Sequence, residues 1–180
     1  MSNFRRKTRV EASDASRFRF AIVMSDYHAA PVEALLEGAR NCLESHRVGP
    51  ESVPVFRVPG VFEIPQAIAR LLARSDPRPH AVIALGILLR GETIHFETLA
   101  HEVVRGLGAI GRSTGVPVSC GVLTVDTDRQ ARDRTGRGES NKGWEAARAA
   151  VRMASLFQTL ERPASGPRGE PRRSPRLRGK

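Results

Sequence analysis

Four short segments hold most of the residues whose types could do chemistry together. They read Ser25-Asp26-Tyr27-His28, Pro59-Gly60-Val61-Phe62-Glu63, Arg90-Gly91-Glu92-Thr93-Ile94-His95-Phe96 and Thr124-Val125-Asp126. The third says most. A glycine-containing turn that opens a helix presents free backbone N–H groups and a positive dipole end, which suits an anion such as phosphate at Gly91 to Thr93. His95 then falls in the first helical turn beside that anion, with a side chain able to exchange protons near neutral pH. Residue type alone fits a surface or capping histidine at least as well. Tyr27 is either a core residue or, from its place after a strand, a stacking surface. A second basic, glycine-rich stretch runs from Arg134 to Gly143. Arg134 could clamp a phosphate bidentately, and the same stretch also reads as a solvated helix connection. His28, His46, His80 and His101 follow no pattern, although His28 lies in one of the four segments. No G-x-x-x-x-G-K-[ST], no G-x-G-x-x-G after a strand, no H-E-x-x-H and no cysteine–histidine metal spacing is present, so neither a metal nor a nucleotide cofactor is expected.

Those segments need a scaffold that brings them to one edge. Short apolar runs at Phe18 to Met24, Val53 to Val58, Ala81 to Leu88 and Val118 to Leu123 predict four core strands. Between them, helical spacing predicts helices over Pro31 to Ser45, Phe62 to Arg74 and Ile94 to Ile110. A short helix at Asp128 to Arg134 and a long one at Lys142 to Leu160 follow. In the long one, Ala146, Ala150, Met153, Phe157 and Leu160 recur at spacings of four and three. Alternating strands and helices with right-handed crossovers give a three-layer α/β/α sandwich with a four-stranded parallel sheet, flavodoxin-like in type. Ligands of such open sheets bind outside the carboxyl ends of the strands, where all four segments begin.

Size and charge set the remaining bounds. The 180 residues suit one domain, expected over 18–161, with basic tails at 1–17 and 162–180 too poor in apolar residues to repay their ordering. The net charge of +10 resides entirely at the ends: +4 in residues 1–19 and +6 in 162–180, leaving 16 charges of each sign between. A nucleic-acid or acidic-cargo role therefore attaches only to the tails, which equally serve as solubilising linkers. The longest apolar run, Ala81 to Leu89, is far short of a membrane helix, and no signal peptide precedes the body, so a cytoplasmic protein is expected. Cys42 and Cys120, widely separated within apolar patterns, read as two buried free thiols.

Taken in order, the motifs resemble those of the 6,7-dimethyl-8-ribityllumazine synthase family from about Phe18 to Leu160. Val58-Pro-Gly-Val-Phe-Glu-Ile-Pro65 looks like the family's V-P-G-[AS]-[FY]-E-[IL]-P, and Leu89-Arg-Gly-Glu-Thr-Ile-His-Phe96 looks like its I-R-G-x-T-x-H-[FY]. Gly115-Val-Pro-Val118, Gly121-Val-Leu-Thr124 and Arg134-x-Gly with Asn141-Lys-Gly143 complete the series. The resemblance implies a cofactor-free condensation of 5-amino-6-(D-ribitylamino)uracil with 3,4-dihydroxy-2-butanone 4-phosphate, in a homo-oligomer of at least five chains. It implies that Tyr27 stacks on the pyrimidine, that Val61, Phe62 and Glu63 hold ribityl chain and ring, and that Ile87, Leu88 and Leu89 give backbone contacts. Gly91, Glu92 and Thr93 would cradle the phosphate with Arg134, His95 would shuttle protons, and Lys142 would orient the pyrimidine. Arg134 and Lys142 would reach the site from an adjacent subunit. Some residues depart from the pattern. Tyr27 replaces the commoner Phe or Trp, His28 stands where Asn is frequent, Cys120 stands where many members place an aromatic ring from the neighbour, and Gly138 stands where Lys is common. The last two admit a weakened or specialised paralogue that binds flavin-like ligands or cargo.

Overall fold

The computed structural model describes residues 14–161. Its elements run β1 (Phe20–Ser25), α1 (Ala29–Ser45), a 3₁₀ turn (Pro50–Ser52), β2 (Val55–Val58), α2 (Glu63–Arg74), β3 (Ala81–Leu89), α3 (His95–Thr114), β4 (Val118–Val125), α4 (Asp128–Arg134) and α5 (Lys142–Glu161). The strands form one parallel sheet in the order β2-β1-β3-β4, as expected for a flavodoxin-like sandwich. β1 and β3 are buried along nearly their whole length because helices cover both faces. One apolar cluster joins Phe20, Ile22, Met24, Ile83 and Leu85 to α1 and α5. The other joins Val23, Val82 and Ala84 to Ile64, Ile68 and Leu72 of α2 and to Val103 and Leu107 of α3.

Register decides where a ligand can go. Ser25 pairs with Val58, and Leu89 with Val125, so each strand pair ends level. Met24 pairs with Leu85, however, so Ile87 to Leu89 run past the end of β1. At about 3.3 Å per residue the overhang is about 10 Å. It forms a wall above the segments that follow β1 and β2.

Several sequence expectations need correction. β2 starts at Val55, since Val53 closes the 3₁₀ turn and Pro54 has no N–H to give the ladder; it is an edge strand with Phe56 and Arg57 exposed, so it is not a core strand. The stripe that signals α5 packs the core only in its first half. Ala146 and Ala150 face inward with Gly143, Ala147, Val151 and Ala154, whereas Met153 and Leu160 are exposed. Small residues are needed there because α5 lies directly against α1. Cys42 is buried as expected, but Cys120 is exposed, because β4 is the other edge strand and no described element covers Cys120. Packing also reaches back beyond Phe18: Ala15 is buried and its N–H donates to His46 O at 2.8 Å. Of the expected tails at 1–17 and 162–180, residues 1–13 and 162–180 lie outside the described residues. No described helix is long and apolar enough to cross a membrane.

The start of the body also carries a proton-sensitive contact. His80 Nδ1 accepts the Arg19 N–H at 3.0 Å against the Phe18 ring. Burial, aided by the charge of Arg19, lowers the His80 pKa below its ordinary 6.5, so the ring is held neutral. Protons then bind the unfolded chain in preference, and this contribution is complete above the ordinary histidine range and lost as pH falls through the lowered value. Thermal stability should therefore drop modestly between pH 7.5 and 5. The drop should be smaller in His80→Asn, whose amide oxygen keeps an acceptor that does not titrate.

Candidate active site

A cleft of about 680 Å³ opens at the carboxyl ends of β1, β2 and β3. Tyr27 and His28 form one rim, Gly60 to Glu63 the next, and the overhanging Ile87, Leu88 and Leu89 a wall beside them. Gly91, Thr93, His95, Phe96 and Leu99 close the third side. Tyr27 is 69% exposed and Phe62 46%, whereas Val61 is buried at 5%. Two aromatic rings left in solvent beside an apolar floor have the chemistry to stack on a flat ring. The Gly60 turn is held by Glu63, whose Oε2 accepts the Gly60 N–H at 3.0 Å, leaving the other carboxylate oxygen without a named partner. His28 adopts φ 61°, ψ 49° at the start of α1 and meets the Tyr27 ring edge-on, with centroids 4.6 Å apart. A non-glycine residue in this left-handed region carries strain, and strain of this kind gathers at binding sites.

The third side is an open helix end. His95 is the first residue of α3, and the capping position, Ile94, supplies no side-chain acceptor to the first turn. The His95 N–H reaches only Thr93 Oγ1, at 3.4 Å. A 20-residue helix thus presents poorly satisfied N–H groups and its positive end to the cleft. The space beside Gly91 is empty, with nothing within 4 Å of where a Cβ would stand. An anion fits the vacant donors.

Ten of the fourteen expected site residues line this cleft: Tyr27, Val61, Phe62, Glu63, Ile87, Leu88, Leu89, Gly91, Thr93 and His95. Glu92 is exposed on the same turn but is not among the lining residues. The remaining three lie elsewhere. Cys120 and Lys142 line a different groove, about 760 Å³, along the β4 edge between α3 and α5, where Met153 and Phe157 also face. Lys142 Nζ pairs there with Glu145 at 2.7 Å. Arg134 stands exposed in the last turn of α4, its Nη1 donating to Gln130 O at 3.2 Å. Within one chain, then, the expected set is divided among the cleft, the β4-edge groove and the end of α4.

His28, Gly60, Phe96 and Leu99 also line the cleft and were not singled out from the sequence. Their signal was position, since each lies in or just beyond a post-strand segment. Asn141 is a second omission. Buried at 3%, it donates to Ala34 O, Thr135 O and Gly136 O, while its Oδ1 accepts the Gly143 N–H at 2.7 Å and caps α5. It thereby fixes the Arg134–Lys142 connection to α1. Gly138, in the same connection, has φ +86°, a conformation glycine adopts without strain and the Lys common at this place would not. Among the described residues no group of three or more metal-ligating side chains occurs.

Comparison with known proteins agrees with this geometry. The profile of the family described as 6,7-dimethyl-8-ribityllumazine synthase matches residues 17–158. A protein of that name from Aquifex aeolicus is 44% identical over 146 residues, covering 81% of this chain and 94% of its own. One from Chloroherpeton thalassium is 42% identical, covering 79% and 90%, and one from Thermosynechococcus vestitus is 45% identical, covering 79% and 80%. The matched span includes both the cleft and the β4-edge groove, and on these grounds the chain belongs to the 6,7-dimethyl-8-ribityllumazine synthase family.

Proposed function

We propose that this chain condenses 5-amino-6-(D-ribitylamino)uracil with 3,4-dihydroxy-2-butanone 4-phosphate, releasing phosphate and water, in a cleft completed by a neighbouring copy. The observation that carries the reading is the pairing of an aromatic, apolar cleft with an open helix end bearing His95. The pyrimidine stacks on Tyr27 and lies over Val61 and Phe62, with Glu63 and the Ile87–Leu89 backbone addressing its polar edge and ribityl chain. The phosphate of the second substrate sits at Gly91–Thr93 against the first turn of α3. Amine attack on the ketone then gives an imine and water. Loss of phosphate by elimination, and closure of the second ring with release of a second water, complete the product, and each step moves a proton that an imidazole at His95 can carry. No redox change occurs. Holding two substrates in register accounts for much of the acceleration, since effective molarity can contribute on the order of 7 to 11 kcal/mol.

The separation of Cys120, Lys142 and Arg134 from the cleft lining supports a shared site. A head-to-tail contact that seats the β4-edge groove of one copy beside the cleft of the next would deliver Arg134, Lys142 and Cys120 to it, and such contacts close into rings. A pentamer, or an assembly of pentamers, is the form proposed. The apolar Met153–Phe157 row, otherwise left in solvent, acquires a partner in such a ring. Thiol labelling checks this. Burial pushes the Cys42 thiol up to about 12, so it should react only on unfolding, while Cys120 should be protected in the ring and react fast once mild denaturant dissociates it. Fast labelling of Cys120 in the native assembly would place the groove outside the contact.

The direct test is the condensation assay, with both substrates and lumazine absorbance as readout. Turnover by the chain alone is the expected result. A folded chain that is silent at saturating substrate would contradict the reading and leave a binding or shell-forming paralogue.

A further inference from the structure

The turn that would hold the phosphate has little of its own to hold it in place. Gly91, Glu92, Thr93 and Ile94 are all exposed, Ile94 to 82%. Its support comes from the residue before it. The Arg90 N–H donates to Val125 O at 2.9 Å, and its guanidinium forks: Nε donates to Asp126 Oδ1 at 2.6 Å and Nη1 to Glu97 Oε1. Its Cζ also lies 4.4 Å from the centre of the Phe96 ring. Glu97 is in the first turn of α3, so the Arg90–Glu97 pair staples the two ends of the turn together. Asp126 follows β4 directly and carries the network onward. Its N–H donates to Gln130 Oε1 at 2.8 Å, Gln130 Nε2 donates back to Asp126 Oδ2 at 3.5 Å, and the Gln130 carbonyl accepts from Arg134.

We infer that Arg90 is a positioning residue for phosphate recognition, acting through its fork between Asp126 and Glu97. It sets the Gly91–Thr93 turn and His95 in this chain's own cleft. Through Gln130 it also sets the reach of Arg134, the group this chain lends to its neighbour. The inference rests on the condensation reading above. Because two carboxylates match its charge, Arg90 is not itself the phosphate ligand. Its hydrogen bonds hold Asp126 and Glu97 below the usual carboxylate range, so the fork stays charged throughout neutral pH. Backbone donors bind an anion well only when their directions are fixed beforehand, and misplacement by about 1 Å can cost on the order of a hundredfold.

The test uses the full chain carrying Arg90→Gln, Arg90→Lys or Asp126→Asn. It reads kcat, the KM of each substrate and the calorimetric affinity for inorganic phosphate. Arg90→Gln should raise the KM of the phosphate-bearing substrate roughly ten- to a hundredfold and weaken inorganic phosphate in parallel, with the KM of the pyrimidine unchanged. Arg90→Lys, which keeps the charge but not the fork, should recover part of the loss, and Asp126→Asn should reproduce it. Melting temperatures should stay close to wild type, because exposed ion pairs contribute little to stability. A matching rise in both KM values, unchanged phosphate affinity, or a wild type that binds no phosphate would overturn the inference. A wild type that binds phosphate with this same Arg90 dependence, yet does not condense the substrates, would support the positioning role and overturn the condensation reading instead.

Discussion

Arg134→Ala is expected to lower kcat/KM by about two to three orders of magnitude while leaving the chain folded and assembled. In a single chain the Arg134 side chain is exposed at the end of α4 and donates only to the Gln130 carbonyl among its described hydrogen bonds, so its removal costs the fold little. In the proposed shared site its use lies in the neighbour's cleft. There it would face a dianionic phosphate whose remaining ligands are the N–H groups of the Gly91–Thr93 turn and the first turn of α3. A planar, permanently charged fork meets two phosphate oxygens at once, in a crevice from which the substrates have expelled water. That charge is needed most as the C–O bond to phosphate breaks, so both kcat and the KM of the phosphate-bearing substrate should suffer. Arg134→Lys should restore part of the loss, because an ammonium supplies charge without the fork. Steady-state kinetics with each substrate varied in turn checks both statements.

Gly143→Ala should prevent folding, or cost about 4 kcal/mol or more, well beyond an ordinary core substitution. A Cβ at Gly143 would stand 1.9 Å from Leu35 O and 2.7 Å from Leu35 C, both backbone atoms of α1. No rotamer change relieves such a contact; α1 and α5 have to separate. Separation would also strain the Asn141 bonds to Ala34 and Gly136, which hold the Arg134–Lys142 connection against α1. The gain from replacing glycine by alanine in a helix is only about 1 kcal/mol, so it cannot offset this. Soluble yield and thermal unfolding measure the effect. Arg152→Gly, at an exposed position of the same helix outside the β4-edge groove, should cost only about 1 kcal/mol and serves as the control.

Much of the scaffold was legible in the sequence because periodicity reports burial. The run Ala81–Leu88 is apolar throughout and became a strand buried on both faces, and Asp128–Arg134 became a helix with those bounds, its start marked by Thr127 accepting the Gln130 N–H. Edges were less legible. β2 and Cys120 read as core because an apolar residue looks the same at a sheet edge that another copy can cover. Met153 and Phe157 signalled a helix correctly for the same reason, yet they face a groove. In the cleft, residues after strands could be placed by topology alone, which is why Tyr27, Phe62 and His95 converge as expected. The Arg90–Asp126 and Asn141–Ala34 bonds could not, since they join residues 36 and 107 positions apart and depend on how the elements pack. The resemblance supplied Arg134 and Lys142 as site residues, and only the structure shows that they do not line their own chain's cleft.

The shared cleft is tested most directly by complementation between two crippled chains, His95→Ala and Arg134→Ala, co-expressed so that they assemble together. Each site should draw His95 from one subunit and Arg134 from the next. In a ring of randomly mixed chains, about one site in four then pairs an intact His95 with an intact Arg134. Activity should return to roughly a quarter of wild type, far above either variant alone. Mixed assemblies no more active than the two variants measured apart would mean that both residues serve the same chain's cleft, or that neither serves it, and would contradict the account.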